Sequence, residues 1–530
     1  MPENVLPERS VMPPEQPVLG RRGVLMGLGG LGALAVLGGT PALAAVAPER
    51  GPLDLRFRVT DQFRPFDLIA PGFEQFDTAT ARDRAVAAAH GVRISDDGAV
   101  RLAGDTLLIT SSGPRAPFCS VLVEVASLAA DSSVVAGIAL DQANSVLVRY
   151  RSDGSATIEV TVGGKRTIVD SAKQVPLRAP FRLAFVLNEN AVTVLVDPTN
   201  TGTGWTPLVS EREGVSGLVD LRVPDRLRAM RYAFGGSGTS TLGRVRAGYF
   251  GQAGLRDGHL VQTAEGKPLI RDNKIYFTFT CAGLGFFQQA HWGVWAMDIS
   301  DPRRLEQVSQ LFFQRDGVIV GDHAGQVVYD ERRNRYIVAM SSWGDFAFNG
   351  VHVRHVETAA NVLSGVHVLR TARFPLPTAV SAWDPSLTRI GDRWHVAFVE
   401  SPRQSPVFEF HPALAVGPPG GTYHQDLRLR RADTSLDQTE GTIIQRVGDQ
   451  WYLFASDGDA REYRVYDLET MSYLGSLDAP YRTNIPHPQL VEVPSAGGPR
   501  WWLVTFDGTQ YAEGVLGYGG HGDVLVMRDG

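Results

Sequence analysis

Residues from about 53 to 250 alternate between short apolar stretches and turn residues. Examples are "SVLVEVASL", "SVVAGIAL", "ATIEVTVGG" and "AVTVLVDP", which are separated by Asp-Gly, Gly-Gly and Asn. Apolar residues at every second position between such turns indicate strands and hairpins. Many short strands at regular spacing predict a β-sandwich, which we assign to residues 45–250. The segment Thr78 to His90, "TATARDRAVAAAH", is a helix candidate within it.

The remainder of the chain repeats a longer unit. An aromatic residue opens a strand at intervals of 60, 58, 57 and 50 residues, at Tyr276, Tyr336, Trp394, Trp451 and Trp501. A period of 50 to 60 residues built only of strands is typical of a four-stranded propeller blade. Five copies predict a five-bladed β-propeller over residues 251–530. The predicted fold class is therefore all-β, with a sandwich followed by a propeller.

Each repeat also carries a polar residue in front of its first apolar strand. The first strands of propeller blades line the central channel, so these front residues would converge although they lie far apart in sequence. An acid-rich ring is costly to bury unless it is paired or useful, and clustered carboxyls move one another's pKa values apart. Glycoside hydrolysis needs one protonated acid and one ionised carboxylate. The front residues are Asp257, Asp322 or His323, Asp384, Glu440 and His487.

The N-terminus predicts export from the cytoplasm. Paired Arg21 and Arg22 precede a Gly-, Ala- and Leu-rich run that ends in "ALA" at Ala42 to Ala44. A charged region, a short apolar run and a small-residue cleavage site form a signal peptide, here resembling the twin-arginine type. We assign residues 1–44 to this signal, with a membrane anchor as the alternative. The mature chain is expected to be secreted or extracytoplasmic, with association with the cell wall as one location and no stable membrane insertion.

Charge and cysteine content narrow the function classes. The 530 residues include 51 Lys and Arg against 57 Asp and Glu, which gives a formal net charge of −6. This mild acidity gives no indication of a nucleic-acid groove. Cys119 and Cys281 lie far apart in sequence, and we expect two buried free thiols ahead of a disulfide. The sequence sets no oligomeric state.

The second half of the chain resembles glycoside hydrolases of family 43. The motifs that carry the resemblance are "WDPS" at Trp383 to Ser386, "EGT" at Glu440 to Thr442 and the His of "IPHPQLV" at His487. The resemblance implies an inverting enzyme that acts mainly on arabinans and xylans, with Asp257 as base, Asp384 orienting the acid and Glu440 as acid. It requires no cofactor, and it implies a structural Ca²⁺ on the axis near His487.

The first repeat departs from the family pattern. The family has Pro after the base, whereas this chain reads "RDGHLVQ". His259 therefore competes with Asp257 for the channel-facing position, and Asp322 is a second candidate for the base.

Other residues have both a binding and a structural interpretation. Trp343 and Trp383 lie next to front positions, where aromatic rings stack on sugars or fill the core. His323 and His487 are candidates for substrate binding or for structural histidines, and Asp345 is a candidate for the rim of the site. No G-x-S-x-G elbow, H-E-x-x-H helix or Walker loop occurs in the sequence.

These observations together predict an exported enzyme that hydrolyses a polysaccharide. An arabinan is the best single substrate. The pattern of the first half resembles concanavalin-like or laminin-G-like sandwiches, which bind sugar or brace a neighbouring domain. The alternative is a carbohydrate-binding or surface interaction protein whose propeller lacks catalysis.

Overall fold

The computed structural model describes residues 50–88, 92–347, 350–495, 498–508 and 522–530. The predicted signal peptide at 1–44 lies outside these residues. Strands account for 56% and helices for 6% of the structure, so the fold is almost entirely β. Among the described residues, none of the helices is long and apolar enough to span a bilayer.

The first part of the chain forms fourteen of the described strands and three short α-helices. The helices are α1 (Ala81–Ala88), α2 (Glu213–Leu218) and α3 (Pro224–Ala229), and α1 lies within the predicted helix candidate. The strands are β1 (Phe57–Phe63), β2 (Glu74–Asp77), β3 (Val100–Ala103), β4 (Thr106–Ile109), β5 (Phe118–Leu128), β6 (Ser133–Asp141), β7 (Asn144–Arg151), β8 (Ala156–Val162), β9 (Lys165–Ala172), β10 (Phe181–Asn188), β11 (Ala191–Asp197), β12 (Thr206–Glu211), β13 (Arg231–Ser237) and β14 (Thr239–Tyr249).

Two antiparallel sheets bury one apolar core in this part. One sheet has the order β12-β11-β10-β5-β14-β2, with β3 also paired to β14, and the other has the order β4-β13-β6-β7-β8-β9. Val121 and Phe185 of the first sheet and Ile138 and Val148 of the second belong to the same buried cluster. The alternation of apolar and polar residues places one face of each sheet toward this cluster.

The second part of the chain supplies the other described strands. They are β15 (Leu255–Leu260), β16 (Gln262–Thr263), β17 (Ile270–Arg271), β18 (Lys274–Cys281), β19 (His291–Asp298), β20 (Leu305–Arg315), β21 (Val318–Val320), β22 (His323–Asp330), β23 (Arg335–Ser341), β24 (Val353–Thr358), β25 (Gly365–Arg370), β26 (Ala372–Arg373), β27 (Ser381–Ile390), β28 (Arg393–Arg403), β29 (Glu409–Val416), β30 (Arg428–Ala432), β31 (Thr439–Val447), β32 (Gln450–Asp457), β33 (Glu462–Asp467), β34 (Tyr473–Ser476), β35 (Gln489–Val493), β36 (Arg500–Asp507) and β37 (Asp523–Asp529). Short 3-10 helices occur at Pro52–Asp54, Phe287–Gln289 and Trp343–Asp345.

These strands form five sheets in the described part of the chain. Their orders begin β15-β18-β19-β20, β16-β22-β23-β24, β27-β28-β29-β30 and β31-β32-β33-β34, and the fifth runs β35-β36-β37-β1. The five aromatic residues of the repeat lie near the beginning of β18, β23, β28, β32 and β36. These are the strands that follow β15, β22, β27, β31 and β35, so the repeat in the sequence corresponds to a repeat of strand pairs.

The fifth sheet is completed by a strand from the beginning of the described chain. Strand β1 pairs antiparallel with β37, from Phe57 opposite Asp529 to Phe63 opposite Val524. Phe57 is fully buried in a cluster that includes Leu525 and Met527. Residues 57–63 therefore belong to the sheet at the end of the chain, although they lie within the segment predicted to be a sandwich.

The strands β15, β22, β27 and β31 pack against one another in this order, and β35 packs against β15. Side chains of one strand accept hydrogen bonds from the backbone of the next, which fixes the strands side by side. These bonds join Leu260 N–H to Gln489 Oε1 (2.8 Å), Leu387 N–H to Gln326 Oε1 (2.6 Å) and Ile444 N–H to Ser386 Oγ (3.0 Å).

The two parts of the chain share an aromatic contact. Phe118 of β5 stacks on Phe312 of β20 with ring centroids 5.4 Å apart, and Tyr249 lies 5.9 Å from the same ring. Cys119 and Cys281 are both free and buried, as predicted. Burial raises the pKa of the Cys281 thiol to about 12, so it is not a reactive thiolate at neutral pH.

Candidate active site

A cavity of about 330 Å³ lies where strands β15, β22, β27 and β31 begin. Seven of the nine predicted site residues line it, together with residues that the sequence did not single out. The predicted residues are Asp257, His323, Trp343, Trp383, Asp384, Glu440 and His487. The others are Arg256, Phe286, Phe287, Ala324, Phe408, Phe410, Gln438, Asn484 and Ile485.

Each of the four strands has a bulge at the cavity. The register shifts after Arg256, His323, Trp383 and Glu440, so the next residue of each strand leaves the regular ladder. A bulge turns side chains out of the usual alternation, and bulges are frequent next to active sites. The repeat therefore places two consecutive residues of β15, β22 and β27 at the cavity, and Glu440 of β31.

The residue after each shift has a left-handed backbone. The φ angles are 53° at Asp257, 55° at Ala324, 48° at Asp384 and 70° at Gly441. Non-glycine residues rarely adopt this conformation, and it persists where the surrounding structure enforces it. Asp384 is thus equivalent to Gly441, and Glu440 is equivalent to Trp383. In the repeats of the sequence, Asp384 was aligned with Glu440. The structure shifts this alignment by one residue, because the strand position of Glu440 is occupied by Trp383 in the preceding repeat.

Asp384 is fixed by the neighbouring strands. Its carboxylate Oδ2 accepts the N–H of Gly441 at 3.0 Å, and its own N–H donates to Oγ of Ser341 at 3.0 Å. Burial, with the nearby Glu440 and Asp257 carboxyls, raises the pKa of Asp384 well above its ordinary value. Three acids in one cavity cannot all be ionised at low cost.

His487 lies between two of the acids. Its Nε2 is 3.3 Å from Oδ2 of Asp384 and 3.7 Å from Oδ1 of Asp257. Burial lowers the pKa of His487 to about 4, so the ring is neutral at neutral pH. A neutral ring with hydrogen on Nε2 would direct that hydrogen toward the nearer carboxyl, that of Asp384.

Asp257 is the acid with a lowered pKa. Burial, the largest influence, raises its pKa, but the charges of His487, Arg256 and His323 together bring it below the ordinary value. The guanidinium Nε of Arg256 lies 4.0 Å from Oδ1 of Asp257. Because His487 is neutral at neutral pH, the permanent positive charge of Arg256 keeps Asp257 ionised there. Arg256 itself packs over the ring of Phe506 at 4.8 Å.

Glu440 has the opposite shift. Burial and the negative charge of Asp257 raise the pKa of Glu440 to about 7. One of its oxygens, Oε2, accepts the indole N–H of Trp383 at 3.1 Å. The cavity therefore contains one carboxyl with a lowered pKa, Asp257, and two with raised pKa values, Glu440 and Asp384, so it offers the ionised and the protonated group that acid–base catalysis requires.

Aromatic side chains form the rest of the wall. The ring of Phe287 lies 5.0 Å from Trp343, and Trp343 lies 5.5 Å from Trp383. Trp383 is only 1% exposed and Trp343 is 7% exposed, whereas Phe286 is 45% exposed. The accessible ring at the cavity is therefore Phe286, and the two tryptophans lie mostly behind the surface.

Two predicted site residues lie outside the lining. Asp322 is fully buried and binds Arg315 through two hydrogen bonds of 2.6 and 2.8 Å, and it also accepts the N–H of Gly344. Arg315 binds Asp345 as well, so the second base candidate and the rim candidate belong to one ion-pair network. His259 is buried, and burial lowers its pKa to about 3.

Sequence reasoning missed Arg256 and the residues of the loops. Arg256 stands directly before Asp257, and the bulge alone brings both to the cavity. Phe286 and Phe287 belong to "LGFFQQA", a loop segment without the periodic signal of a strand. The two adjacent aromatic residues next to glycines were the one feature of the sequence that could have indicated a binding loop here.

The residues around His487 do not fit a calcium ion held by this side chain. Calcium takes about six to eight oxygen ligands, whereas His487 directs Nε2 at two carboxylates. Within the described ranges, no group of three or more His, Cys, Asp or Glu side chains is arranged to hold a metal ion. We therefore assign no step of a reaction to a metal.

A larger cavity of about 720 Å³ lies over the sheet that contains β6, β7 and β8. Its buried acid, Glu159, binds Arg149 through two hydrogen bonds of 2.9 and 3.1 Å and Arg151 through one of 3.2 Å. These contacts lower the pKa of Glu159 despite its burial. A carboxylate neutralised in this way is not available as an acid or base, so size alone does not make this cavity the catalytic site.

Known structures include chains that are similar to this one at low identity. A GH43_1 enzyme from Xanthomonas citri, in complex with xylose, is 14% identical with a TM-score of 0.36, and the match covers 51% of this chain and 88% of that chain. A levansucrase variant from Bacillus subtilis is 9% identical with a TM-score of 0.38, covering 52% and 86%. No protein-family model and no curated protein matches the chain.

Proposed function

We propose that this protein hydrolyses glycosidic bonds, with Glu440 as general acid and Asp257 as general base. The observation that carries the proposal is the pair of opposite pKa shifts in one cavity, since Glu440 is raised to about 7 while Asp257 is lowered. Pairs of carboxyls that their surroundings drive apart in pKa mark acid and base roles.

The reaction is the addition of one water across a glycosidic bond. Glu440 gives its proton to the glycosidic oxygen, and the bond from that oxygen to the anomeric carbon breaks. Asp257 takes a proton from a water on the opposite face of the sugar as the water oxygen bonds to that carbon. Return of one proton from Asp257 to Glu440 through solvent restores both groups. Each group contributes about 10²- to 10⁴-fold to the rate.

Asp384 and His487 maintain the arrangement. Asp384 accepts the N–H next to Glu440 and so fixes the backbone that carries the acid. The ring of His487 lies against Asp384 and Asp257, with Nε2 at 3.3 and 3.7 Å from their oxygens, and fills the space between them. A catalytic geometry must be held within fractions of an ångström, which explains two residues devoted to it.

The substrate proposed is a polysaccharide with furanose units, such as an arabinan, cleaved with inversion. The exposed ring of Phe286, which lines the same cavity as the acids, gives a sugar face a surface to stack on. The fold proposed for the second part is a five-bladed propeller, whose last blade includes β1. The first part is proposed to be a lectin-like sandwich, and the chain to be secreted by the signal at 1–44.

The test is product release from a panel of arabinans, with xylan and fructan included. We expect release by the native protein and a fall of at least about 10²-fold in the Glu440→Gln variant, because the acid is lost. Glu492→Gln is the matched control, since Glu492 is exposed on the neighbouring β35 and does not line the cavity. Inversion is checked by the anomer of the first product.

A second candidate function is carbohydrate binding without catalysis. The observation that favours it is Arg256, whose guanidinium lies 4.0 Å from the proposed base and would compete for its lone pair. Binding of the polymers by both the native and Glu440→Gln proteins, with no product from either, would support this second function and contradict the first.

A further inference from the structure

The indole of Trp383 is held in one orientation. Its ring centroid lies 5.5 Å from Trp343, 5.5 Å from Phe408 and 5.4 Å from Phe410, and only 1% of the residue is exposed. A ring packed on several sides in this way cannot turn toward a ligand without displacing its neighbours. Its one polar atom therefore has a fixed direction.

That polar atom meets the proposed acid. The indole Nε1–H of Trp383 is 3.1 Å from Oε2 of Glu440. The two residues stand at equivalent places before the bulges of neighbouring strands β27 and β31, which brings their side chains together at the cavity. An indole nitrogen only donates, so Oε2 is always the acceptor in this contact.

We propose that Trp383 is the positioning residue for the acid, because it occupies Oε2 of Glu440 and leaves Oε1 as the oxygen that carries the transferable proton. The inference rests on the proposed function. The hydroxyl oxygen of a protonated carboxyl accepts a hydrogen bond more weakly than the carbonyl oxygen does, so the form with the proton on Oε1 is favoured. Glu440 lines the cavity, where a bound substrate would take this proton. The sequence left Trp383 as either a sugar-stacking or a core residue, and its exposure of 1% favours the second interpretation.

The test removes the N–H while it keeps the ring. Site-specific incorporation of 3-benzothienylalanine at 383 puts sulfur in place of the N–H, and Trp383→Phe is the simpler variant. Trp343→Phe is the matched control, because Trp343 is part of the same aromatic cluster and no hydrogen bond to Glu440 is seen for it in the described structure. Circular dichroism and thermal unfolding of each variant report whether the fold is kept.

The first readout needs no substrate. The infrared C=O stretching band of protonated carboxyls is followed through a pH titration, and the part of the band lost in Glu440→Gln belongs to Glu440. We expect the midpoint for Glu440 to rise by roughly one pH unit in both variants at position 383, because a hydrogen bond to the ionised form is lost. We expect Trp343→Phe to leave the midpoint where it is.

The second readout is the rate. We expect kcat to fall roughly tenfold in the variants at position 383 as the acid loses its orientation, and the alkaline limb of kcat/KM to move up with the infrared midpoint. An unchanged midpoint in the benzothienylalanine variant would overturn the inference. Absence of any product from the native protein would instead contradict the proposed hydrolysis, and the infrared titration would still decide the role of Trp383.

Discussion

The N–H of Gly441 donates a 3.0 Å hydrogen bond to Oδ2 of Asp384. The two residues occupy equivalent left-handed positions in the bulges of neighbouring strands, so a hydrogen bond joins the two bulges directly. Glu440 stands immediately before the donor, and its direction therefore depends on a carboxylate 56 positions earlier in the chain. The acid is oriented by a side chain of the neighbouring strand as much as by its own strand.

The rate of the proposed reaction is expected to have a bell-shaped dependence on pH. The pKa of Glu440 is raised to about 7, so kcat/KM falls as pH rises through that value and the acid loses its proton. The pKa of Asp257 is lowered, so the acidic limb lies below the ordinary range of an aspartate. Initial rates across pH measure both limbs. A profile without a fall near 7 would remove Glu440 from the role of acid.

Burial of Glu440 also makes stability depend on pH. A carboxyl with a raised pKa binds its proton more tightly in the folded chain, so its favourable contribution is full below about 4.5 and is lost as pH rises through about 7. Glu440→Gln cannot ionise, and we expect its stability relative to the native protein to increase over this window, by on the order of 3 kcal/mol at most.

The measurement is urea unfolding of both proteins at several pH values across the window. Glu492→Gln serves as the control, because Glu492 is exposed, and its difference from the native protein should be flat with pH. Parallel curves for the native protein and Glu440→Gln would show that the folded protein does not raise the pKa of Glu440.

Much of the architecture follows from periodicity in the sequence. Tyr276, Tyr336 and Trp394 lie near the beginning of β18, β23 and β28, which pair with β15, β22 and β27, so an aromatic residue marks the same strand of each repeat. The position of strand β1 could not be predicted from periodicity. It pairs with β37, but its alternation of apolar and polar residues is the same as that of the sandwich strands that follow it in sequence. Pairing partners at the two ends of a chain leave no local signal.

The sequence was sufficient to identify the acids of the site, but not their exact positions within the strands. Asp384 and Glu440 were found from short motifs, but a bulge moves the pattern by one residue, and the sequence does not show where a strand bulges. Asp322 looked like a base from its place in the repeat. In the structure Arg315 neutralises it, and an ion-pair partner seven residues earlier on another strand gives no periodic signal.

Gly441 is expected to be essential for steric reasons. Its φ is 70°, and a Cβ there would lie 2.5 Å from Cδ2 of His487. Gly441→Ala should destabilise the protein by about 1–3 kcal/mol and abolish activity, because His487 must leave its place between the two aspartates. Thermal unfolding and product release measure the two effects.

Gly391→Ala is the control that separates the two effects expected in Gly441→Ala, the clash of the new Cβ with His487 and the strain of a left-handed backbone. Gly391 has a φ of 62°, and a Cβ there would meet nothing within 4 Å. We expect this variant to lose some stability and to keep its activity. Equal losses of activity in both variants would mean that the contact with His487 is unimportant.

Strand β1 is expected to stabilise the sheet that ends the chain. Phe57 is fully buried among Leu525 and Met527, so Phe57→Ala should lower the free energy of unfolding by about 3–5 kcal/mol. Leu53→Ala is the control, since Leu53 is 40% exposed and its loss should cost less than about 1 kcal/mol. Urea unfolding measures both. If the two variants unfolded alike, β1 would be an attachment at the edge of a sheet that is stable without it.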